Sequence, residues 1–156
     1  MASRVLVALR VAAAPERAFV AFTEEIRDWW RPNGLFQFTP RGPGRMSFEP
    51  GAHGRLVETQ ADGTVFEVGC VKVWDPPAEL VFEWRQAGFA AGQRTEVHVH
   101  FEPAGPETRI TVEHLGWDAI PQQHAARHGF PLVVFLRREA EWWQEPLASC
   151  GRVLTG

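Results

Sequence analysis

The sequence predicts an α+β fold in which a seven-stranded antiparallel sheet curls around one long C-terminal helix, with two short helices after the first strand. Three observations predict it. Residues 4 to 11 alternate apolar and polar side chains, six further strand-like runs separated by turn sequences follow between residues 36 and 114, and beyond residue 131 the apolar period becomes that of a helix.

Each element has its own local cause. In "RVLVALRV" the residues Val5, Val7, Leu9 and Val11 share one face, the mark of a half-buried strand. Pro15 suits a first helical position, and Phe19 and Phe22 at i and i+3 place a short helix on "PERAFVAF". Thr23 can cap a second short helix, "EEIRDWW", whose acidic first turn suits the helix dipole before Pro32 and Gly34 end it. Strands are then expected at "RMSFE", "GRLVETQ", "TVFEVGCVKVW", "ELVFEW", "RTEVHVHFE" and "TRITVEHL", joined by "PGAHG", "ADG", "DPPA", "QAGFAAGQ" and "PAGPE". Gly69 marks a bulge that switches the register of its strand. In the last third Val133, Leu136, Ala140, Trp143 and Leu147 recur at helical spacing, with Phe135 and Trp142 flanking. Pro131 fits the first turn, and Pro146 is expected to end or kink the helix near Trp142.

Such a sheet cannot leave its apolar face wet, and the long helix is the only element broad enough to cover it. A cylinder fills a curved trough incompletely, so an apolar space is expected between sheet and helix.

Composition narrows the function classes. The 156 residues fit a single domain over 1–156, and 45% hydrophobic with 22% charged residues is ordinary for a globular chain. No apolar run approaches the ~20 residues that span a bilayer, and Arg10 interrupts the apolar start, so no membrane span and no export signal are read and a cytoplasmic location is expected. The 16 basic residues, all arginine except Lys72, are outnumbered by 19 acidic ones and form no run, which argues against nucleic acid as a partner. The weight of Arg, Ala, Gly and Pro is that of GC-rich coding and points to a bacterial source. Cys70 and Cys150 lack metal-site or redox spacing and read as reduced, inert thiols.

Five motifs, in order, carry a resemblance over almost the whole chain. "AAAPERAFVAFT", "IRDWWRP", "FEPGAHGRLVE", "GCVKVWDPPAELVFEW" and "TRITVEHLGW" resemble the corresponding steps of the START-like (SRPBCC) superfamily, and within it the activator of heat-shock protein 90 ATPase homologue-like family. The chain departs from that pattern at His53-Gly54, where the family usually has two glycines, and at Gly129-Phe130-Pro131, where a Gly-Trp step is usual. The resemblance implies a helix-grip fold. The group holds ligand carriers, co-chaperone modules and, in the wider superfamily, cyclases, aromatases and dehydratases.

The chemistry-bearing residues are few. His98 and His100 share a strand face with Glu96 and Glu102, opposite the apolar face, and His124 and His128 stand at i and i+4. A zinc site needs three or four convergent ligands and neither pair has a third, so no metal and no cofactor is expected. Serines 3, 47 and 149 lack a nucleophile-elbow context. His114 shares parity with Ile110 and Val112 and should point inward. It reads either as a hydrogen-bonded structural histidine or as a polar anchor for a ligand, or else as a general acid or base with Glu67 or Glu113 as its charged companion. At the mouth of the trough Trp30, Phe36 and Trp117 are expected to close over an apolar or aromatic ligand, with Trp84 and His114 deeper and Phe66 and Trp142 completing the lining. Of the adjacent tryptophans, Trp29 is expected as the buried anchor and Trp30 at the entrance.

Three functions follow as expectations: binding of a small hydrophobic or aromatic molecule between sheet and helix; a polyketide cyclase, aromatase or dehydratase activity using His114; and an interaction module that docks on a chaperone or forms a homodimer.

Overall fold

In the computed structural model, residues 3–30, 38–39, 43–86 and 88–155 are described. β1 (Arg4–Val11) leads into α1 (Pro15–Thr23) and α2 (Ile26–Trp29). The meander follows as β2 (Arg45–Phe48), β3 (Arg55–Thr59), β4 (Val65–Asp75), β5 (Glu79–Trp84), β6 (Thr95–Ala104) and β7 (Glu107–Leu115). Two short 3-10 turns, Trp117–Ala119 and Ala125–Arg127, precede α3 (Leu132–Thr155). Among the described residues no helix is long and apolar enough to cross a membrane.

All seven strands form one antiparallel sheet in the order β1-β7-β6-β5-β4-β3-β2. The first strand therefore pairs with the last, with Val5 opposite His114 and Val7 opposite Val112. Val97 of β6 stands on the other side of His114, and Phe82 of β5 opposite Val97, so one row across the inner face reads Val5, His114, Val97, Phe82. Every member of that row is buried. This is the alternation expected of a strand with one face in the core.

The bulge expected at Gly69 is present. Leu56 pairs with Gly69 but Val57 with Glu67, which leaves Val68 as the extra residue, and the buried side chains of β4 change from even to odd numbers there. A Cβ on Gly69 would stand 1.6 Å from the Glu83 carbonyl oxygen, so only glycine lets β5 approach at this point.

Three local expectations are corrected. Thr23 does not cap α2: it lies in the last turn of α1, and its hydroxyl donates to the Phe19 carbonyl at 2.7 Å. The backbone bond of a fourth-previous carbonyl is locally available to a buried threonine, whereas α2 is only one turn long. Pro146 does not end the last helix, which runs unbroken through it for 24 residues. The lost donor and ring clash, about 3 kcal/mol, are outweighed because Trp142 and Trp143 before the proline and Leu147 and Cys150 after it are all buried against the sheet. Finally, the inward stripe of α3 keeps the expected Trp143 and Leu147 but otherwise consists of Phe135, Glu139, Trp142, Pro146, Ser149 and Cys150, while Val133 is 70% exposed.

Candidate functional site

The site grows from the parity of β7. Ile110, Val112 and His114 face inward, and Gly116, at φ 98°, turns the chain so that Trp117 folds back over the end of the strand. The Trp117 ring lies 5.3 Å from the imidazole of His114 and 4.7 Å from Phe135 at the start of α3. Arg127 fastens the following turns: its guanidinium donates to the carbonyls of Ile120 at 2.8 Å and Phe130 at 2.7 Å and lies over the Phe135 ring.

Hydrogen bonding around His114 fixes its tautomer. The Thr95 hydroxyl donates its one proton to the Trp84 carbonyl at 3.1 Å, and its oxygen lies 2.7 Å from Nε2 of His114. A carbonyl can only accept, so both contacts are satisfied when Nε2–H donates to Thr95. On the opposite side of the ring the Trp143 indole N–H donates to Nδ1 at 3.2 Å. A neutral imidazole thus has both nitrogens partnered, buried between β6, β7 and α3.

A second group then intrudes. Oε1 of Glu139, projecting from α3, approaches Nδ1 to 2.5 Å, and both side chains have no exposed surface. Neither carboxyl oxygen of Glu139 has a hydrogen-bond partner. A lone carboxylate would be prohibitively costly in this setting. Nδ1 already accepts from the Trp143 indole and so offers the carboxyl no proton; the proton that spares Glu139 a lone buried charge therefore stays on its own carboxyl.

Tryptophans wall this polar pair. Trp84 lies 5.0 Å from the His114 ring, Trp143 6.1 Å, and Trp84, Trp30, Trp142 and Trp143 are mutually packed with centroids 5.0 to 6.1 Å apart. Phe38 adds a ring 4.9 Å from Trp84. Each such indole buries enough surface to contribute about 4 to 6 kcal/mol.

Of the residues singled out in the sequence, Trp30, Trp84, His114, Trp117 and Trp142 come together here. Trp29 is buried as expected, with its indole donating to the Ala21 carbonyl at 2.8 Å. Trp30 is also buried, at 7% exposure, so the division into anchor and rim is not found. Phe66 is half-buried near the start of β4, packed against the hydrophobic core with the Arg85 guanidinium over its ring. Phe36 lies outside the described residues. The companions named for His114 are elsewhere: Glu113 faces outward 3.5 Å from Arg4, and Glu67 lies 3.7 Å from Arg55. Glu139, their replacement, was the residue sequence reasoning missed, although its place four residues after Phe135 and four before Trp143 put it on the inward stripe.

The remaining histidines have ordinary surroundings. His98 on the outer sheet face lies 2.6 Å from Glu96, and Nε2 of His124 is 2.9 Å from the Gly88 carbonyl oxygen. Among the described residues no three His, Cys, Asp or Glu side chains gather as metal ligands.

Comparison with known proteins places this architecture. The family model described as Activator of Hsp90 ATPase homolog 1-like protein matches residues 12–145. The chain belongs to that family. Solved structures share its fold. Protein MLL2253 from Mesorhizobium loti superposes with a TM-score of 0.69 at 19% identity, covering 98% of this chain and 97% of that one. The Aha1 dimer from Colwellia psychrerythraea superposes at 0.66 with 14% identity, covering 97% and 96%. An anthrahydroquino-gamma-pyrone synthase, Txn09, complexed with SUM, is 32% identical over 71% of this chain and 75% of its own, with a TM-score of 0.51. No curated protein matches the chain. These likenesses establish the helix-grip architecture of a START-like protein, with the curled seven-stranded sheet around α3.

Proposed function

We propose that the interior between the sheet and α3 binds a small hydrophobic, aromatic molecule, with Trp84, His114, Trp117 and Trp142 as its surroundings. One observation carries the reading: a buried histidine and carboxyl pair stands inside a wall of tryptophans, where packing alone calls for hydrocarbon. Flat indole faces suit a flat aromatic guest, and the polar pair would orient it. Trp30 is the least buried of the four packed tryptophans and caps α2 in extended conformation, which makes it the side chain that swings aside on entry. The test is a titration with 1,8-dihydroxyanthraquinone followed by tryptophan emission. Saturable quenching that Trp84→Ala removes from a still folded protein supports the reading, and unsaturable quenching identical in both proteins contradicts it.

A second reading builds on the first and is favoured by the 32% identity to a protein named a pyrone synthase. In it the chain acts on a polyketide-like molecule as a cyclase, aromatase or dehydratase, and His114 belongs to the proton-handling machinery. Conversion of a linear aromatic polyketide that His114→Ala slows at least 100-fold supports catalysis. Full turnover in that variant removes His114 from the reaction.

A further inference from the structure

We propose that Glu139, rather than His114, is the group that touches the bound molecule, and that it selects an aromatic molecule carrying a carbonyl flanked by hydroxyl or enol oxygens. This inference rests on the binding site proposed above and deepens it.

The case begins with what His114 can still offer. Its Nε2–H is committed to Thr95, and its Nδ1 accepts from the Trp143 indole. As a neutral ring it is complete without Glu139 and has no atom left for a guest. Glu139 is the reverse: both oxygens are buried and without a hydrogen bond. Buried polar groups are nearly always partnered, and a carboxyl whose contact is a ring nitrogen already taken by an indole is placed for a hydrogen bond that the free protein does not contain. Its neighbours define that missing partner. The tryptophan faces require a planar, apolar body, and the carboxyl requires an edge that can accept a proton and donate a hydrogen bond. A hydroxylated aromatic ketone meets both conditions.

The same placement permits a balanced reaction. The proton held by the Glu139–His114 pair passes to the guest's carbonyl oxygen while an enol or phenol oxygen of the same molecule bonds to the carbonyl carbon. The C=O π bond is replaced by the new C–O and O–H bonds, and the proton of the attacking oxygen returns to the carboxyl. The pair ends as it began and no co-reactant is consumed. His114 acts as a positioning residue, and Thr95 and Trp143 hold its ring.

Two probes of similar shape separate this inference from the reading beneath it: anthracene, and 1,8-dihydroxyanthraquinone, which adds the carbonyl and hydroxyl edge. Binding of each is measured on the full chain, on Glu139→Leu and, as a second apolar variant in case leucine disturbs folding, on Glu139→Met. The wild type should bind the hydroxyquinone at least about ten-fold more tightly than anthracene, the worth of one buried hydrogen bond to an ionisable group. Either apolar variant should lose that preference while holding anthracene within about two-fold. If both probes bind and the variants keep the preference, or the wild type shows none, the role of Glu139 is overturned and the binding site stands. If neither probe binds the wild type, the binding site itself is overturned.

Discussion

Nδ1 of His114 and Oε1 of Glu139 meet at 2.5 Å with no water-accessible surface on either side chain, although His114 already accepts from the Trp143 indole at that nitrogen. The contact joins β7 to α3 without a hydrogen bond to hold it. A buried polar group without a hydrogen bond carries an uncompensated desolvation cost of about 1 to 3 kcal/mol, which hydrocarbon of similar volume removes, and here the imidazole keeps its bonds to Thr95 and Trp143. Glu139→Leu should therefore raise the midpoint of chemical unfolding. A fall in the midpoint would mean that the carboxyl supports the fold.

His114→Ala should act in the opposite direction. The change orphans the Trp143 indole N–H, removes the partner of the Thr95 hydroxyl oxygen and leaves a cavity among Trp84, Trp117 and Trp143. These losses sum to about 3 kcal/mol, read from urea unfolding at unchanged slope. A cost within experimental error of zero would show that the buried network contributes nothing.

Gly69→Ala probes the sheet beneath the site. An added Cβ would overlap the Glu83 backbone, which belongs to β5 and cannot move like a side-chain end. Loss of that pairing should cost several kcal/mol or prevent folding, seen as loss of cooperative thermal unfolding. An alanine variant with wild-type stability would contradict the close approach of β4 and β5.

Cys150 gives a signature at high pH. Burial, aided by the Glu25 carboxylate and opposed by Arg17, pushes its thiol from 9.0 up to about 12. Above pH 9 the unfolded chain releases this proton while the folded one retains it, so the folded state binds more protons and stability falls as pH rises. Between pH 9 and 12 the group should remove about 1.4 kcal/mol per pH unit. Unfolding followed in parallel for Cys150→Ala should lack that component. Identical alkaline slopes would show that the thiol is not buried in this way.

The sheet was legible because period two is unambiguous where one face is wet: parity alone put His114 inward, and the lone Gly69 in an apolar run announced its bulge. The resemblance carried by "IRDWWRP" and "GCVKVWDPPAELVFEW" likewise led to the right fold. The helix was less legible, because its inward stripe contains a glutamate and a proline. A hydropathy reading moves the stripe onto Val133 and Ala140 to avoid them, and so hides Glu139. Trp30 shows the limit of local turn chemistry, since a tryptophan beside a turn is buried when Trp84, Trp142 and Trp143 stand opposite it.

The central claim, that an aromatic molecule enters between the sheet and α3, is tested most directly by the indole N–H resonances of the seven tryptophans during titration with 1,8-dihydroxyanthraquinone. Trp74 serves as the internal control, because it lines an outer groove of about 330 Å³ with Phe19, Pro76 and Pro77, away from His114. Saturable shifts of Trp30, Trp84, Trp142 and Trp143 with Trp74 unmoved are the predicted result. Shifts confined to Trp74, or no shifts at any concentration, would contradict the claim.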